Sequence, residues 1–517
     1  DCRKVNAHMR HAEVIEFEVE LPALEKPLAA DAGANTGKKV TPERVIAFRQ
    51  RQFNSNEAAF AQFLASVQAT GFPSEPALWI DWVEWEGPIL EEWPPAGHKT
   101  LFFGGADREK DEAYARAVIQ RFATRAFRGK QPDPEFVDRL VSLYSQERPG
   151  NTFEQALKQP LSIVLASPGF LYLREPAPNE DAKRKLSSEE LAVRLSYFLW
   201  SSPPDEALLA AARKGEWDDE AALVRQAHLM LKDKRAMEFV SSFAHQWLHM
   251  ERLDFFQFNH ELYPEFDDSL KAAARQEVYE TILNIIRKEG SVGDLLKSDT
   301  IVINDLLGYF YGIENVGGSH FREVKVPETT PRGGLLGMAA ILAMGSDGER
   351  SSPVERGAWV LRKLLHDPPP PAPANVPQLS RFEADLLPAR KLIEAHMEEA
   401  QCAQCHRKID PIGYGLEHFN AVGLWRETEL VSGSHGRTKV YPIDDTGTLP
   451  NGAKFDGFFE LRDRIAEQEE QFARGFVEHL IEYALGRPYG FSDQDLADWM
   501  LRHGAERGRS LNSYIRA

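Results

Sequence analysis

The stretch "CAQCHRKIDPIGYGLEHFNAVGLWR", residues 402–426, holds two of the chain's three cysteines, Cys402 and Cys405, with His406 directly after the second. Two thiols at this spacing beside an imidazole admit three chemical readings. Zinc uses C-x-x-C as half of a four-ligand site, and closing that site takes two more Cys or His, usually as a second close pair. No second C-x-x-C or H-x₃₋₅-H follows, and His418 and His435 stand too far apart to form one. A thioredoxin-like redox pair requires a βαβ context that is missing here. A c-type haem needs two thiols for thioether bonds to its vinyl groups and an imidazole under the iron, and C-x-x-C-H supplies all three in five residues. Chance matches in a chain with so few cysteines are on the order of 0.001, so the motif reads as haem c, one covalent group held by Cys402, Cys405 and His406.

The residues after the motif extend that reading. Gly413, Gly415 and Gly423 permit close backbone approach or positive φ. Asp410-Pro411 is expected to stop the short helix that carries His406. Trp425 and Arg426 are candidate walls of the haem site, Arg426 by pairing with a propionate; a core aromatic and a solvated charge are the alternatives. Upstream, "LLPARKLIEAHMEEAQC" predicts a helix with Pro388 in its first turn, and Leu392, Ile393, His396 and Met397 share one face. His396 is the leading candidate for the distal iron ligand, ahead of Met397 and His418; the competing role is a packed, hydrogen-bonded histidine.

Earlier in the chain, "HDPPPPAPANVP" (366–377) is a polyproline-II spacer that no helix or central strand accommodates. Before it the pattern is helical. "DEAYARAVIQRFATRAFRG" places Ala117, Val118, Phe122 and Phe127 on a candidate core face, with Gly129 as C-cap. "SSEELAVRLSYFLWSSPPDEALL" opens with Ser187 or Ser188 as N-cap and stops at Pro203-Pro204. Amphipathic stretches run through 218–251 and 267–289, and "RGGLLG" (332–337) reads as the start of a helix. After Pro450 a last amphipathic helix is expected near 458–485, with Phe472, Phe476, Leu480 and Ala484 on one side. Residues 14–21 and 77–89 read as strands. The expected class is mainly α: a multi-domain helical body with a c-type haem module and a small β-rich N-terminal region. The boundaries are 1–100 for the β-rich region, 101–180 for a helical module, 181–365 for a large helical domain, 366–380 for the linker, 381–457 for the haem module and 458–517 for a C-terminal helical module.

Charge excludes some partners. The chain has 517 residues and a net charge of −18, which disfavours nucleic acid and anionic membrane surfaces. Apolar runs such as Leu335–Met344 fall far short of the ~20 residues a transmembrane helix needs. "YPIDDTGTLPNGAKFDG" (441–457) gathers Asp444, Asp445, Asn451 and Asp456; such oxygens bind Ca²⁺ in some settings, but the spacing is no EF-hand, and solvated turns are the preferred reading. Neither a nucleophile elbow nor a P-loop is present.

The haem stretch resembles the large multi-domain c-type cytochromes of planctomycetes and related bacteria. Their module reads approximately C-x-x-C-H-x-x-x-D-P-x-G-x-x-L-E-x-F-D-x-x-G-x-W-R, matched here at Cys402, Cys405, His406, Asp410, Pro411, Gly413, Leu416, Glu417, Phe419, Gly423, Trp425 and Arg426. It departs at Asn420, where the family has Asp. "LAVRLSYFLWSSPPDEALL", "RGGLLGMAAIL", "SSPVERGAWVLRKLL", "EYALGRP", "FATRAFRG" and "VLASPGFLYLRE" are similar to family blocks on both sides, so the likeness covers roughly residues 75–517. The resemblance implies a secreted, haem-bearing protein, a His at the position of His396, and an N-terminal region that is the tail of a carbohydrate-binding-like module. It supplies no established reaction.

Together these residues lead to an extracytoplasmic cytochrome, periplasmic or extracellular, that transfers electrons to a redox partner protein or to further subunits of an assembly. Because haem is attached outside the cytoplasm, the reading frame is expected to extend upstream of Asp1 into an export signal. A haem-dependent oxidoreductase of peroxidase or oxygenase type is the alternative, and a structural or carbohydrate-binding surface protein the third reading.

Overall fold

Local capping chemistry sets the helix starts. The Asp111 carboxylate accepts from the Tyr114 amide and opens α1 (Glu112–Ala126). Thr152 and Gln155 cap each other reciprocally at the start of α3 (Phe153–Ala166), after α2 (Pro134–Glu147). Ser187, the first of the two candidate caps, does the same with Glu190 ahead of α4 (Ser188–Trp200). Each such cap satisfies amides that have no partner within the helix and contributes about 1 kcal/mol. Helix α4 ends before the prolines, with Ser201 in the left-handed region at φ 48°.

The computed structural model describes residues 65–66, 68–69, 92–105, 108–173, 184–217, 219–370, 387–397, 400–432 and 438–517. The chain divides into two units between His98 and Lys99, and every helix from Glu112 onward belongs to the second. The strands expected at 14–21 and 77–89 lie outside the described residues, as do Cys2 and the linker beyond Pro370.

The architecture is mainly α, with strands confined among the described residues to three antiparallel two-stranded ribbons. Helices α1, α2 and α3 enclose a core of their own, built from Tyr114, Val118, Leu140, Tyr144, Phe153 and Leu157. Phe153 stacks on Tyr114 at 5.3 Å and meets Tyr144 edge-on at 5.7 Å. The buried stripe of α1 is Tyr114, Ala115, Val118, Ile119 and Ala123, one step round from the expected face. Small alanines let the neighbouring helices approach there, while Phe122 and Phe127 stay half-buried at the rim.

A second, larger core begins with α4 and takes in α5 (Glu206–Arg213), α6 (Glu220–Lys232), α7 (Ala236–Leu248) and α8 (Asp268–Arg287). Strand β1 (Thr300–Ile303), α9 (Asp305–Tyr311) and β2 (Arg322–Lys325) come next, with Thr300 opposite Lys325 and Ile303 opposite Arg322. The turn at Leu335–Gly337 leads, as expected, into a helix, α10 (Ala339–Met344). Then come α11 (Pro353–Lys363), α12 (Ala389–His396) and α13 (Ala400–Tyr414). Ribbons β3–β4 (Thr428–Ser432, Thr438–Pro442) and β5–β6 (Thr446–Thr448, Lys454–Asp456) precede α14 (Gly457–Ala466), α15 (Glu469–Leu485), α16 (Gln494–Ala505) and α17 (Leu511–Ile515).

Two helices replace the single one expected over 458–485, because the backbone breaks at Gln468. Phe472, Phe476 and Leu480 are buried as the pattern predicts. They meet the aromatic ladder of α7: Trp247 lies edge-on to Phe476 at 5.3 Å, and Phe243 does so at 5.6 Å. Each fully buried ring stabilises by roughly 2–3 kcal/mol, so this seam ties the C-terminal helices to the body. No helix among the described residues is long and apolar enough to cross a membrane.

Candidate functional site

The motif lies in the first half of α13. Helix α13 runs through Pro411 to Tyr414, where the sequence suggests a stop at Asp410-Pro411. A proline inside a helix removes one backbone hydrogen bond. Burial of Ile409, Ile412 and Tyr414 against neighbouring elements offsets that loss. Because the helix continues, Cys402, Cys405 and His406 stand at i, i+3 and i+4 and share one face. Neither thiol forms a disulfide, and both are half-buried.

The continued helix also brings Asp410 under His406. The imidazole Nδ1 lies 2.9 and 3.0 Å from the two carboxylate oxygens of Asp410, whose side chain is completely buried. That hydrogen bond raises the affinity of His406 for protons, against the opposing effect of burial. With Nδ1 held by a carboxylate, Nε2 is the nitrogen assigned to a metal. Two turns on from His406, the Tyr414 hydroxyl is buried without a hydrogen-bond partner among the described residues. Burial, and then the Asp410 charge, push its pKa up.

Close backbone approach fixes α13 on α11. A Cβ on Gly357 would stand 2.1 Å from the Ile409 carbonyl oxygen, and one on Gly413 would stand 1.9 Å from that of Pro353. Only glycine at both positions lets the two backbones touch. The loop after α13 is held from the same side. Arg356 is 2% exposed and donates to the carbonyls of Leu342, Leu416, Phe419 and Asn420. Burial lowers its pKa to about 10, and the neighbouring Glu417 carboxylate opposes the shift. Arg332, also buried, donates to Gly337 and Gly423, the latter at φ 79°. Neither arginine stands out in the sequence; a charge close to a cap carries no local sign of burial.

The remaining candidates occupy defined places. Arg426 donates through Nε to the Glu417 carbonyl and through a terminal nitrogen to the Glu417 carboxylate and Ser351 Oγ, each at 3.0 Å or less. The Trp425 indole N–H donates to Glu427 at 2.7 Å, and its ring stacks on His418 at 4.6 Å. His418 Nδ1 bonds the Arg426 carbonyl at 2.7 Å, and its Nε2 is 3.5 Å from Asp445. These three residues therefore form one interlocked turn. Asn420, the departure from the family pattern, accepts from the Val422 and Leu424 amides through its side-chain oxygen. A carboxylate oxygen in its place would accept the same two bonds, so the turn does not depend on charge. His396 closes α12, which packs on α13 and buries Ile393; the His396 side chain lies outside the described residues.

The acidic segment 441–457 is used locally. Asp444 accepts from Thr446 and pairs with Arg390 at 2.9 Å, and Asn451 accepts from the Ala453 amide. Among the described residues no group of three His, Cys, Asp or Glu side chains is placed to hold a metal ion.

Four family models match the chain in succession, each described as a protein of unknown function. They are DUF1595 over residues 114–175, DUF1592 over 186–313, DUF1588 over 332–429 and DUF1585 over 451–517. The first coincides with the separate core of α1–α3. The third joins α10 and α11 to α13 and contains the whole Cys402–Arg426 stretch. No curated protein and no solved structure matches the chain. Along most of its length the chain thus resembles, domain by domain and in order, the planctomycete cytochrome-c-associated multi-domain family.

Proposed function

We propose that the chain is an extracytoplasmic c-type cytochrome that carries one covalent haem and transfers electrons within a larger assembly. The observation that carries this reading is the single face of α13 on which Cys402, Cys405 and His406 stand, with Asp410 behind the imidazole. The donor set fits the group: two thiols outside any disulfide for thioethers, and an imidazole whose Nδ1 is already engaged. When bound, the haem supplies a one-electron iron couple. Cys402 and Cys405 would fix its position, His406 would hold it through Nε2, and Asp410 would make that imidazole the stronger donor. His396, at the end of the helix packed on α13, is the proposed distal ligand.

The test is expression of the full chain with an export signal and a haem-attachment system, followed by intact-mass analysis and a pyridine haemochrome spectrum. One added haem that survives acid-acetone extraction supports the reading. A chain mass without haem under conditions that mature a control cytochrome refutes it. The second reading, a haem-dependent oxidoreductase, is favoured by the same His406–Asp410 bond, since a more basic proximal ligand also suits substrate activation. Spin state separates the two. A low-spin ferric signal that becomes high-spin in His396→Ala supports electron transfer, and a high-spin wild type supports the enzyme.

A further inference from the structure

Away from the cysteine motif, helix α11 borders a cavity of about 250 Å³ whose opposite walls come from α10 and from the segment after α7. Most charges on its wall are already compensated. Arg252 pairs with Glu355 at 2.6 Å, and His249 pairs with Glu251 at 2.9 Å. The Arg356 guanidinium is used on backbone carbonyls. Lys363 differs from all of these. It is 6% exposed, lines the cavity, and forms no hydrogen bond or ion pair with any described residue. Glu251 and Glu482 are the acids that face it, without forming an ion pair with it; Arg362 beside it and His479 behind it are basic.

An ammonium without a partner on so deeply buried a side chain is costly, and a methionine would fill the same volume without that cost. The rest of the wall is apolar: Phe255, Leu336, Ile341, Met344 and Trp359. The Trp359 indole is fixed by its N–H bond to the Leu248 carbonyl at 3.1 Å, so that face of the cavity is rigid. A dry cavity of about 150 Å³ accepts benzene, so this one has room for an aromatic ring with an acid group attached. We propose that the cavity is a binding site for a small carboxylate with an aromatic or branched apolar body, its carboxylate on Lys363 and its body against Trp359, Ile341 and Met344.

The bound carboxylate supplies the partner that Lys363 lacks, and Arg362 stands at the exposed side of the same helix to screen the charge. Without a ligand the Lys363 amine is held down to about 8, chiefly by burial and then by Arg362. Binding therefore takes up a proton as pH approaches that value and weakens above it. Around pH 8 the half-buried His479, whose pKa is lowered to about 4 chiefly by desolvation, is neutral and does not compete for the anion.

Calorimetric titration of the full chain at neutral pH with benzoate tests the site, with benzyl alcohol as the neutral analogue and acetate as the charge without a body. Benzoate is expected to bind with one-to-one saturation, at least about tenfold tighter than either comparator, as one charge-assisted hydrogen bond implies. Raising the pH to about 9.5 should weaken it by a similar factor. Lys363→Met should abolish the preference for benzoate over benzyl alcohol without lowering the unfolding midpoint. Ile341→Phe, which fills the apolar end and leaves the amine, should abolish binding of both. Wild-type protein that shows no saturable benzoate binding, or binds benzyl alcohol as tightly, overturns the proposal whether or not the variants fold. Unchanged benzoate affinity in a folded Lys363→Met does the same.

Discussion

His406 and Asp410 stand one turn apart on a single helix, with the imidazole Nδ1 2.9 Å from a carboxylate that has no exposure to solvent. In an apolar surrounding that bond is charge-assisted and directional, and it makes the ring a better donor at its other nitrogen. A stronger donor favours the oxidised iron. Asp410→Asn keeps the shape and removes the charge. The difference between a charged and a neutral hydrogen bond is about 1 kcal/mol, or roughly 45 mV for one electron. With the proposed haem bound, the variant should therefore have a reduction potential higher by about that amount, read by spectroelectrochemical titration. An unchanged or lowered potential would show that Asp410 does not act on the iron through His406.

Gly357 and Gly413 carry a different kind of requirement. A methyl group on either would meet main-chain oxygen at about half the normal separation, and main chain on both sides has nowhere to move. Overpacking of this kind costs about 3 kcal/mol or more. Gly357→Ala and Gly413→Ala should each lower the unfolding midpoint strongly. Gly452→Ala provides the comparison: it meets nothing within 4 Å, and its only strain is its positive φ. Losses at Gly357 and Gly413 no larger than that at Gly452 would show that the close helix approach does not set the cost.

How far the chain alone reveals this architecture depends on the range of each interaction. Helix starts at Ser187 and Thr152 are legible because cap and partner are three residues apart. The face carrying Cys402, Cys405 and His406 is legible for the same reason. The partnership of His406 with Asp410 also sits at i+4, but it is hidden when Pro411 is taken as a helix stop. Packing against α11 overrides that local preference. The buried face of α1 is easily misread because alanines mark the seam and phenylalanines the rim. Arg356 and Lys363 give no local sign at all: one reaches carbonyls sixty residues on, and the other is buried where residues as distant as Glu251 and Glu482 come near it. The β-rich expectation for the N-terminal region falls outside the described residues.

Arg356 is the anchor of the turn after the motif helix. Its guanidinium serves carbonyls at Leu342, Leu416, Phe419 and Asn420 and lies 3.5 Å from Glu417. Arg356→Met leaves those carbonyls without their donor and removes one of the two arginines beside the buried Glu417 carboxylate, at a cost of about 3–5 kcal/mol. Arg356→Lys should recover little, since a single ammonium cannot span a fork of acceptors. Limited proteolysis should then cleave within 416–426 well before the wild type does. Full rescue by lysine would mean that charge alone, and not the planar fork, holds the turn.

Glu277 makes the stability of the large core depend on pH. The Tyr311 hydroxyl donates to its carboxylate at 2.6 Å, and the Arg332 guanidinium stands 3.8 Å from the Tyr311 ring centre. Burial nevertheless dominates and raises the Glu277 pKa from 4.5 to about 7, with Tyr311 and Arg332 opposing the rise. The folded protein therefore keeps the proton between those values while the unfolded chain has lost it. Below about pH 4.5 both states are protonated and the contribution is complete; it declines as pH rises and is gone above about 7, a change of roughly 3 kcal/mol. Glu277→Gln preserves an acceptor for Tyr311 and removes the titration. Denaturant unfolding should show the variant gaining on the wild type steadily from pH 5 to 7 and holding a constant advantage above that. Parallel stability curves across this range would mean that the carboxyl ionises in the folded state as readily as in water, with Arg332 supplying the compensation that burial denies.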